Sequence, residues 1–401
     1  MPGMLPVNIV DFGADPEGIQ DSTKAIRDAI NRVKEDSNGH GGVVQIPPGT
    51  FLIKETIEID HFVVLSGIGW ATPTFGYVPN DRVIPGSWFR IRDQITAFRV
   101  KGRGNANSTE GRGVCFRSLA IRHDQPDAPG AGTFVPRDYP FAFSIHTDDV
   151  VFDNVMMLNP TRGIYFGAGG DGGVVGRLYI NRLLGQPLRI GIEVDDTLDS
   201  VRINDVHFWP FWNIDEGVKR FLLGGDGTVT AFKLFRCDGA QMTNIFAYGY
   251  QHGIEVLESA AGVPTALMIS NLYLDACGIG VPVACSNSSV HIANAKIQGA
   301  GVEKIAPEFQ GKWGVIMKGG RQNRLDLANV DLSNFRNSCV RADNGWIHAE
   351  NLRIDGWNWA RENFYGVEAR EEGEIRLGRG FVFGASPGSI GPVGGNVITD
   401  V

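Results

Sequence analysis

The sequence predicts an all-β chain wound as a β-helix, a solenoid in which neighbouring coils complete one shared core. Two recurrences carry that expectation. The stretch Val150-Val-Phe-Asp-Asn-Val-Met-Met-Leu158 returns downstream as an apolar residue, a small polar residue that is usually Asn, and further alternating apolar positions. Its polar markers are Ser118, Asn154, Arg182, Asp205, Asn244, Asn271, Asn294, Asn329 and Asn351. The shorter spacings between them, about 22–28 residues, suit one coil. Asn tolerates a left-handed backbone and stacks in ladders between parallel strands.

A second, shorter strand follows each marker strand. The series is Gly163-Ile-Tyr-Phe166, Gly191-Ile-Glu-Val194, Ala231-Phe-Lys-Leu234, Gly253-Ile-Glu-Val256, Gly280-Val-Pro-Val283, Gly314-Val-Ile-Met317, Cys339-Val-Arg-Ala342 and Gly366-Val-Glu-Ala369. Strand side chains alternate faces, so the steadily apolar second and fourth positions point inward and the third points out. The outward column reads Tyr165, Glu193, Lys233, Glu255, Pro282, Ile316, Arg341 and Glu368.

In chain order, Val7–Ala14 reads as a short strand and a Gly turn, and Asp21 or Ser22 as the N-cap of an amphipathic helix over Lys24–Lys34. That helix presents Ala25, Ile26, Ala29, Ile30 and Val33 on one face and caps the apolar end of the solenoid, as repeat architectures require. Strands follow at Val43–Ile46, Thr50–Ile53, Ile57–Ile59 and Val63–Ser66. Trp70–Val114 reads as an irregular coil with a surface excursion, and the regular coils run from there to about Asp355. Glu374–Phe383 is expected to close the helix. Residues 1–69 therefore hold the N-terminal strand, capping helix and first coil, 70–384 the β-helix, and 385–401 an extended tail. Inserts near 123–140, 209–227, 299–313 and 356–365 all leave between a marker strand and its second strand, hence from one side, often the binding side.

With 37 Lys plus Arg against 45 Asp plus Glu, the formal charge is −8, which argues against a nucleic-acid role and is compatible with glycans. The cysteines Cys115, Cys237, Cys277, Cys285 and Cys339 have no C-x-x-C spacing and read as buried free thiols, with no disulfide or zinc framework. Met1–Pro6 lacks the basic region and apolar run of an export leader, and no stretch suits a membrane span.

Asp11-Phe-Gly-Ala14, Asp21–Ile30, Gly41-Gly-Val-Val-Gln-Ile-Pro-Pro-Gly-Thr-Phe-Leu52 and Val63-Val-Leu-Ser-Gly-Ile-Gly69 resemble the opening signature of the pectate-lyase-like superfamily. That group includes polysaccharide lyases, polygalacturonase-like and other glycosidases, and bacteriophage tailspikes. The resemblance implies a right-handed parallel β-helix, and fold alone does not supply a reaction.

Glu193 and Glu255 stand two coils apart in the outward column, about 9–10 Å by strand spacing. That is close to the upper end of the window of about 6.5–9.5 Å for inverting glycosidases. With Asp195 and Asp196 they are the candidate catalytic carboxylates, able to act as acid and base if their pKa values are pushed apart. The same residues with Lys233 also fit a plain charge ladder on an exposed sheet. Tyr165, Lys233, Trp209, Trp212, Trp357 and Trp359 are candidate glycan contacts, since aromatic faces suit sugar rings. Packing of the inserts or a subunit interface is the alternative for the tryptophans. His146-Thr-Asp-Asp149 reads as a structural turn, and the Asn-Thr-Asp, Gly-Asp-Asp and Arg-Ile-Lys motifs of polygalacturonase-like enzymes are absent. No metal site or cofactor is expected.

The leading expectation is a virion-associated spike that binds bacterial surface polysaccharide, with its depolymerisation left open. The tailspike resemblance implies a homotrimer and other virion proteins as partners, and neither nucleic acid nor membrane insertion is expected. A stand-alone, extracellular polysaccharide lyase or glycoside hydrolase acting on an acidic or neutral glycan is one alternative. A non-catalytic decoration protein is the other.

Overall fold

All nine marker residues hold the left-handed backbone conformation, with φ between 51° and 59°. The fold is a right-handed parallel β-helix with a short N-terminal helix. The structure, a computed structural model, describes residues 6–73, 76–102, 111–127, 132–168, 175–224, 229–300, 311–358, 362–384, 388 and 390–399. Two compact units divide the chain, one of residues 1–192 with 197–218 and the other of 193–196 with 219–401.

In the first unit, helix α1 (Thr23–Asp36) buries Ala25, Ile26, Ala29, Ile30 and Val33. Its first turn is held by Asp21, whose Oδ1 accepts from Thr23 N at 3.0 Å, whereas Ser22 makes no side-chain cap and instead accepts from Asp15 N. Parallel strands Gly42–Gln45, Val63–Ser66, Cys115–Arg117, Val151–Met157, Tyr179–Gly185 and Arg202–Phe208 pair in sequence. The strand Val151–Met157 passes through Asn154 unbroken, so the left-handed residue bends the strand without ending it. Beyond that bend, Gly49–Ile53, Ser87–Ile91 and Ala120–His123 stack in register. The second strands Ile57–Ile59, Phe98–Lys101, Phe141–His146 and Arg162–Phe166 form the other sheet.

These pairings correct one expectation. Ser87–Ile91 and Phe98–Lys101 belong to a regular coil, and among the described residues the segment before Ser87 carries an excursion. Polar turns around regular strands had masked the pattern. The core is a column of Phe89, Phe98, Phe116, Phe143 and Phe152, all fully buried, with centroids 4.9–5.6 Å apart. Each such ring contributes about 1.5–3 kcal/mol by burial.

The second unit repeats the plan. Marker strands Ala240–Tyr248, Ala266–Cys277, Ser289–Gly299, Arg324–Ser333, Trp346–Asp355 and Glu374–Leu377 pair in parallel. The second strands His252–Val256, Ile279–Val283, Trp313–Met317, Val340–Ala342 and Val367–Arg370 do likewise. The tail from Ala385 adds strands to both sheets, Ile390–Val393 and Asn396–Thr399, so a further coil follows the expected closing one. The recurrent Gly that opens each second strand has a steric cause. A Cβ on Gly253, Gly280 or Gly314 would sit 2.4–2.6 Å from the carbonyl oxygen of the next coil. The inward second and fourth positions, from Ile254 and Val256 to Val367 and Ala369, are fully buried. All five cysteines are buried free thiols, and no helix among the described residues is long and apolar enough to cross a membrane.

One buried group ties fold to pH. His123 is 1% exposed, stands edge-on to Tyr139 at 4.7 Å, and among the described residues has no hydrogen-bond partner at either ring nitrogen. Burial pushes its pKa down to about 3. The native state therefore excludes the proton that the unfolded chain takes up below its ordinary pKa of about 6.5. Above that pH the proton plays no part, and stability falls as pH drops toward 3. Replacing it should remove this loss: in urea titrations, His123→Leu is expected to fall about 2 kcal/mol less than wild type between pH 7 and pH 5.

Candidate functional site

The outward column of the second strands is formed as the repeat requires. Lys233 lies directly opposite Glu255. In that pairing, Leu257 N donates to Leu234 O, and the equivalent bond from Phe235 N to Val194 O sets Glu193 opposite Lys233. Glu193 and Glu255 thus flank Lys233 two strand spacings apart, about 9–10 Å. The Lys233 Nζ also lies 5.2 Å over the ring of Phe235.

Glu255 is the most elaborated of these side chains, at 14% exposure. Thr230, on the neighbouring strand, donates its hydroxyl to Oε2 at 2.5 Å. His252 Nδ1 approaches Oε1 to 2.6 Å as an ion-pair contact rather than an aligned hydrogen bond. Burial opposes the charged carboxylate, but His252, Thr230 and Lys233 outweigh it and hold Glu255 below the usual glutamate range. Such a group is ionised near neutrality and suits a base or an electrostatic role, not a proton donor. Thr230 and His252 escaped the sequence reading because neither belongs to the outward column, although His252 directly precedes the Gly253 motif.

Asp195 and Asp196 close the turn after Glu193. Asp195 Oδ1 accepts from Asp196 N and from Ser259 Oγ, each at 2.8 Å, and Asp196 lies 3.3 Å from Arg236. Asp196 itself has φ 50°. Both carboxylates are thus engaged in shaping the turn that carries Glu193. Among the described residues, no three His, Cys, Asp or Glu side chains converge into a metal-holding group.

The aromatic candidates separate by burial. Tyr165 is half-buried on the outward face of the first unit, with Phe141 and His146 at centroid distances of 5.6 and 5.5 Å. Trp209 is half-buried beside His207 at 6.2 Å. Trp212 is 1% exposed: its Nε1 donates to Val78 O, and Tyr77 and Phe134 pack against it. Gln186 fixes that insert, accepting from Trp212 N and Asn213 N and donating to Asn213 O. Trp357 is 2% exposed, donates to Gly388 O and meets Phe383. For Trp212 and Trp357 the packing alternative therefore describes the structure, and neither ring offers a face to a glycan. Trp359 lies outside the described residues. In the turn His146–Asp149, Asp148 and Asp149 both pair with Arg177, at 3.3 and 2.5 Å.

The column is not uniformly solvent-facing. Ile316 and Glu368 are fully buried, and Glu368 lies 3.5 Å from Arg341 and 3.1 Å from Arg370. Arg341 also bonds Asp343 at 2.6 Å and lies over Trp313. This compensated carboxylate is legible only as an alternation of sign in the sequence, which gives no hint of its burial.

A model of the family described as rhamnogalacturonase A/epimerase, pectate lyase-like, matches residues 6–206. A search of curated proteins found no match. Among solved structures, the pre-mature gene product 12 of bacteriophage phi29 aligns over 98% of this chain and 56% of its own, at 12% identity and a TM-score of 0.55. The hyperthermoactive exopolygalacturonase from Thermotoga maritima aligns over 96% and 93%, at 11% identity and a TM-score of 0.51. The A-module of the Azotobacter vinelandii mannuronan C-5 epimerase AlgE6 aligns over 98% and 99%, at 15% identity and a TM-score of 0.50. At these identities the likeness is one of fold.

The depressed pKa of Glu255 is directly measurable. Its ionisation stabilises the fold above the unfolded glutamate pKa, and that contribution is lost as pH falls through the lower folded value. Carboxyl carbon NMR should place the Glu255 midpoint below that of a free glutamate, and Thr230→Val or Lys233→Met should move it upward.

Proposed function

Because the chain belongs to the rhamnogalacturonase A/epimerase, pectate lyase-like family, we propose that it engages a polysaccharide along the outward face of its second-strand sheet and cleaves it there. The observation that carries this reading is Glu255, a largely buried carboxylate held charged by Thr230, His252 and Lys233 on a face otherwise made for exposure. Glu255 acts as the base, activating water or removing a substrate proton. Glu193, across Lys233, serves as its acid partner, with the Asp195–Asp196 turn holding it in place. Lys233 meets the negative charge of an acidic sugar or of the developing transition state. In the other unit, Tyr165 and Trp209 offer ring faces of their own for sugar stacking.

In the finer reading the chain is a spike carried on a virion and assembled as a homotrimer, binding bacterial surface polysaccharide. The tailspike resemblance of the opening residues and the phage gene product of like fold support it. A free extracellular lyase or hydrolase is the second reading, favoured by the carboxylate pair itself.

Incubation with purified bacterial surface polysaccharides tests both readings. Hydrolysis yields new reducing ends, and elimination yields unsaturated, ultraviolet-absorbing ends. Glu255→Gln is expected to lower the cleavage rate by about 10²–10⁴-fold while binding persists. Full cleavage by the Glu193→Gln/Glu255→Gln double variant sinks the assignment.

A further inference from the structure

A second arrangement lies in the 219–401 unit, on the outward face of the marker strands rather than the second strands. Ser289 and His291 are two residues apart on the strand Ser289–Gly299 and so share a face. Asp326 lies directly opposite His291 on the next strand. The Ser289 Oγ stands 3.1 Å from His291 Nε2, and His291 Nδ1 stands 2.9 Å from Asp326 Oδ2. The order hydroxyl, imidazole Nε2, imidazole Nδ1, carboxylate is that of an activated nucleophile. A carboxylate at Nδ1 keeps the proton there, leaving Nε2 to accept from the serine.

The setting adds independent support. A groove of about 780 Å³ is lined by Ser288, Ser289, Arg321, Arg324 and Trp346, among others. Arg324 is the direct cross-strand neighbour of Ser289, which places a cationic side chain on the same face as the hydroxyl. Trp346 provides an aromatic wall, its ring stacked 5.8 Å from His348 and its Nε1 bonded to Glu374. His348 flanks Asp326 on the side away from His291, at 3.7 Å. A contrasting pair occurs in the other unit: Ser144 Oγ is 2.8 Å from His146 Nε2, but there Nδ1 meets the carbonyl of Gly167. A Ser-x-His spacing on a strand therefore does not by itself create the relay, and the third group at 289–326 does.

We propose that Ser289, His291 and Asp326 form a nucleophilic relay that hydrolyses carboxylic esters carried by a carbohydrate in this groove. Ser289 Oγ attacks the ester carbonyl carbon as its proton passes to His291 Nε2. The carbon–oxygen bond to the sugar breaks, and His291 returns the proton to the departing sugar hydroxyl. Water then attacks the acyl-serine with His291 as base, releasing a carboxylic acid and restoring the serine hydroxyl. Ser289 and His291 are catalytic residues, and Asp326 is a positioning residue. The ester chemistry stands on this geometry alone, and the carbohydrate substrate class rests on the function proposed above.

The full chain is treated with a fluorophosphonate reporter and, separately, with O-acetylated polysaccharide while released acetate is measured. The expected results are modification at Ser289, its loss in Ser289→Ala, and acetate release that falls by at least about 10³-fold in that variant. Asp326→Asn should lower kcat by about 10²–10⁴-fold with little change in KM, a split that a merely structural role would not produce. Failure of the reporter to modify Ser289, or equal acetate release by wild type and Ser289→Ala, overturns the relay. Modification at Ser289 without acetate release from the polysaccharide overturns the substrate class.

Discussion

One left-handed residue per coil is the constraint on which the rest of the structure depends. An L-residue pays about 1–2 kcal/mol to enter that conformation, and Asn pays least because its short amide bonds locally. At Asn271, Asn329 and Asn351 the amide donates to the Asn of the preceding coil at 3.0–3.1 Å, and Asn154 donates to Ser118 at 3.3 Å. A second ladder runs alongside in the first unit, from Asn204 to Asn181 to Asp153. The bend lets one strand serve two faces without losing ladder hydrogen bonds. Where the marker is not Asn, other contacts compensate: Arg182 lies over the ring of Trp70, whose Nε1 bonds Asn154 O. With the bend fixed, every inward and outward position follows by alternation.

The scaffold was legible in the sequence because it is periodic. The marker residues, the inward pairs and the outward Lys233–Glu255 contact all follow from aligning one coil on the next. The aromatic inserts were not legible in this way. A run such as Phe208-Trp-Pro-Phe-Trp212 has the same composition whether its rings face solvent or a neighbouring segment. What buries Trp212 is Gln186, just past the end of a marker strand, together with Val78, far away in sequence. Likewise, nothing local in Glu368 reveals that Arg341 and Arg370 close over it.

The Ser289 arrangement is a different kind of omission. The 35-residue offset that stacks Asn329 on Asn294 also sets Asp326 opposite His291. The repeat makes it available, but on the marker-strand face rather than in the second-strand column. In a solenoid, chemistry is assembled across coils, so the residues to compare share a register position rather than a local motif. In the proposed reading the two faces divide the work, with the shielded Glu255 carboxylate on one sheet and the Ser289 arrangement beside a groove on the other.

The measurement that bears most directly on this account is a comparison of two substitutions at one ladder position. Asn271 has φ 51° and bonds Asn244 through its side chain. Both Asn271→Gly and Asn271→Val remove that bond, but only glycine enters the left-handed region without strain, and valine is among the worst residues there. In denaturant unfolding, Asn271→Val should lose about 1–3 kcal/mol more than Asn271→Gly. Equal losses, or a more stable valine variant, would contradict the claim that backbone conformation at the ladder sets the register.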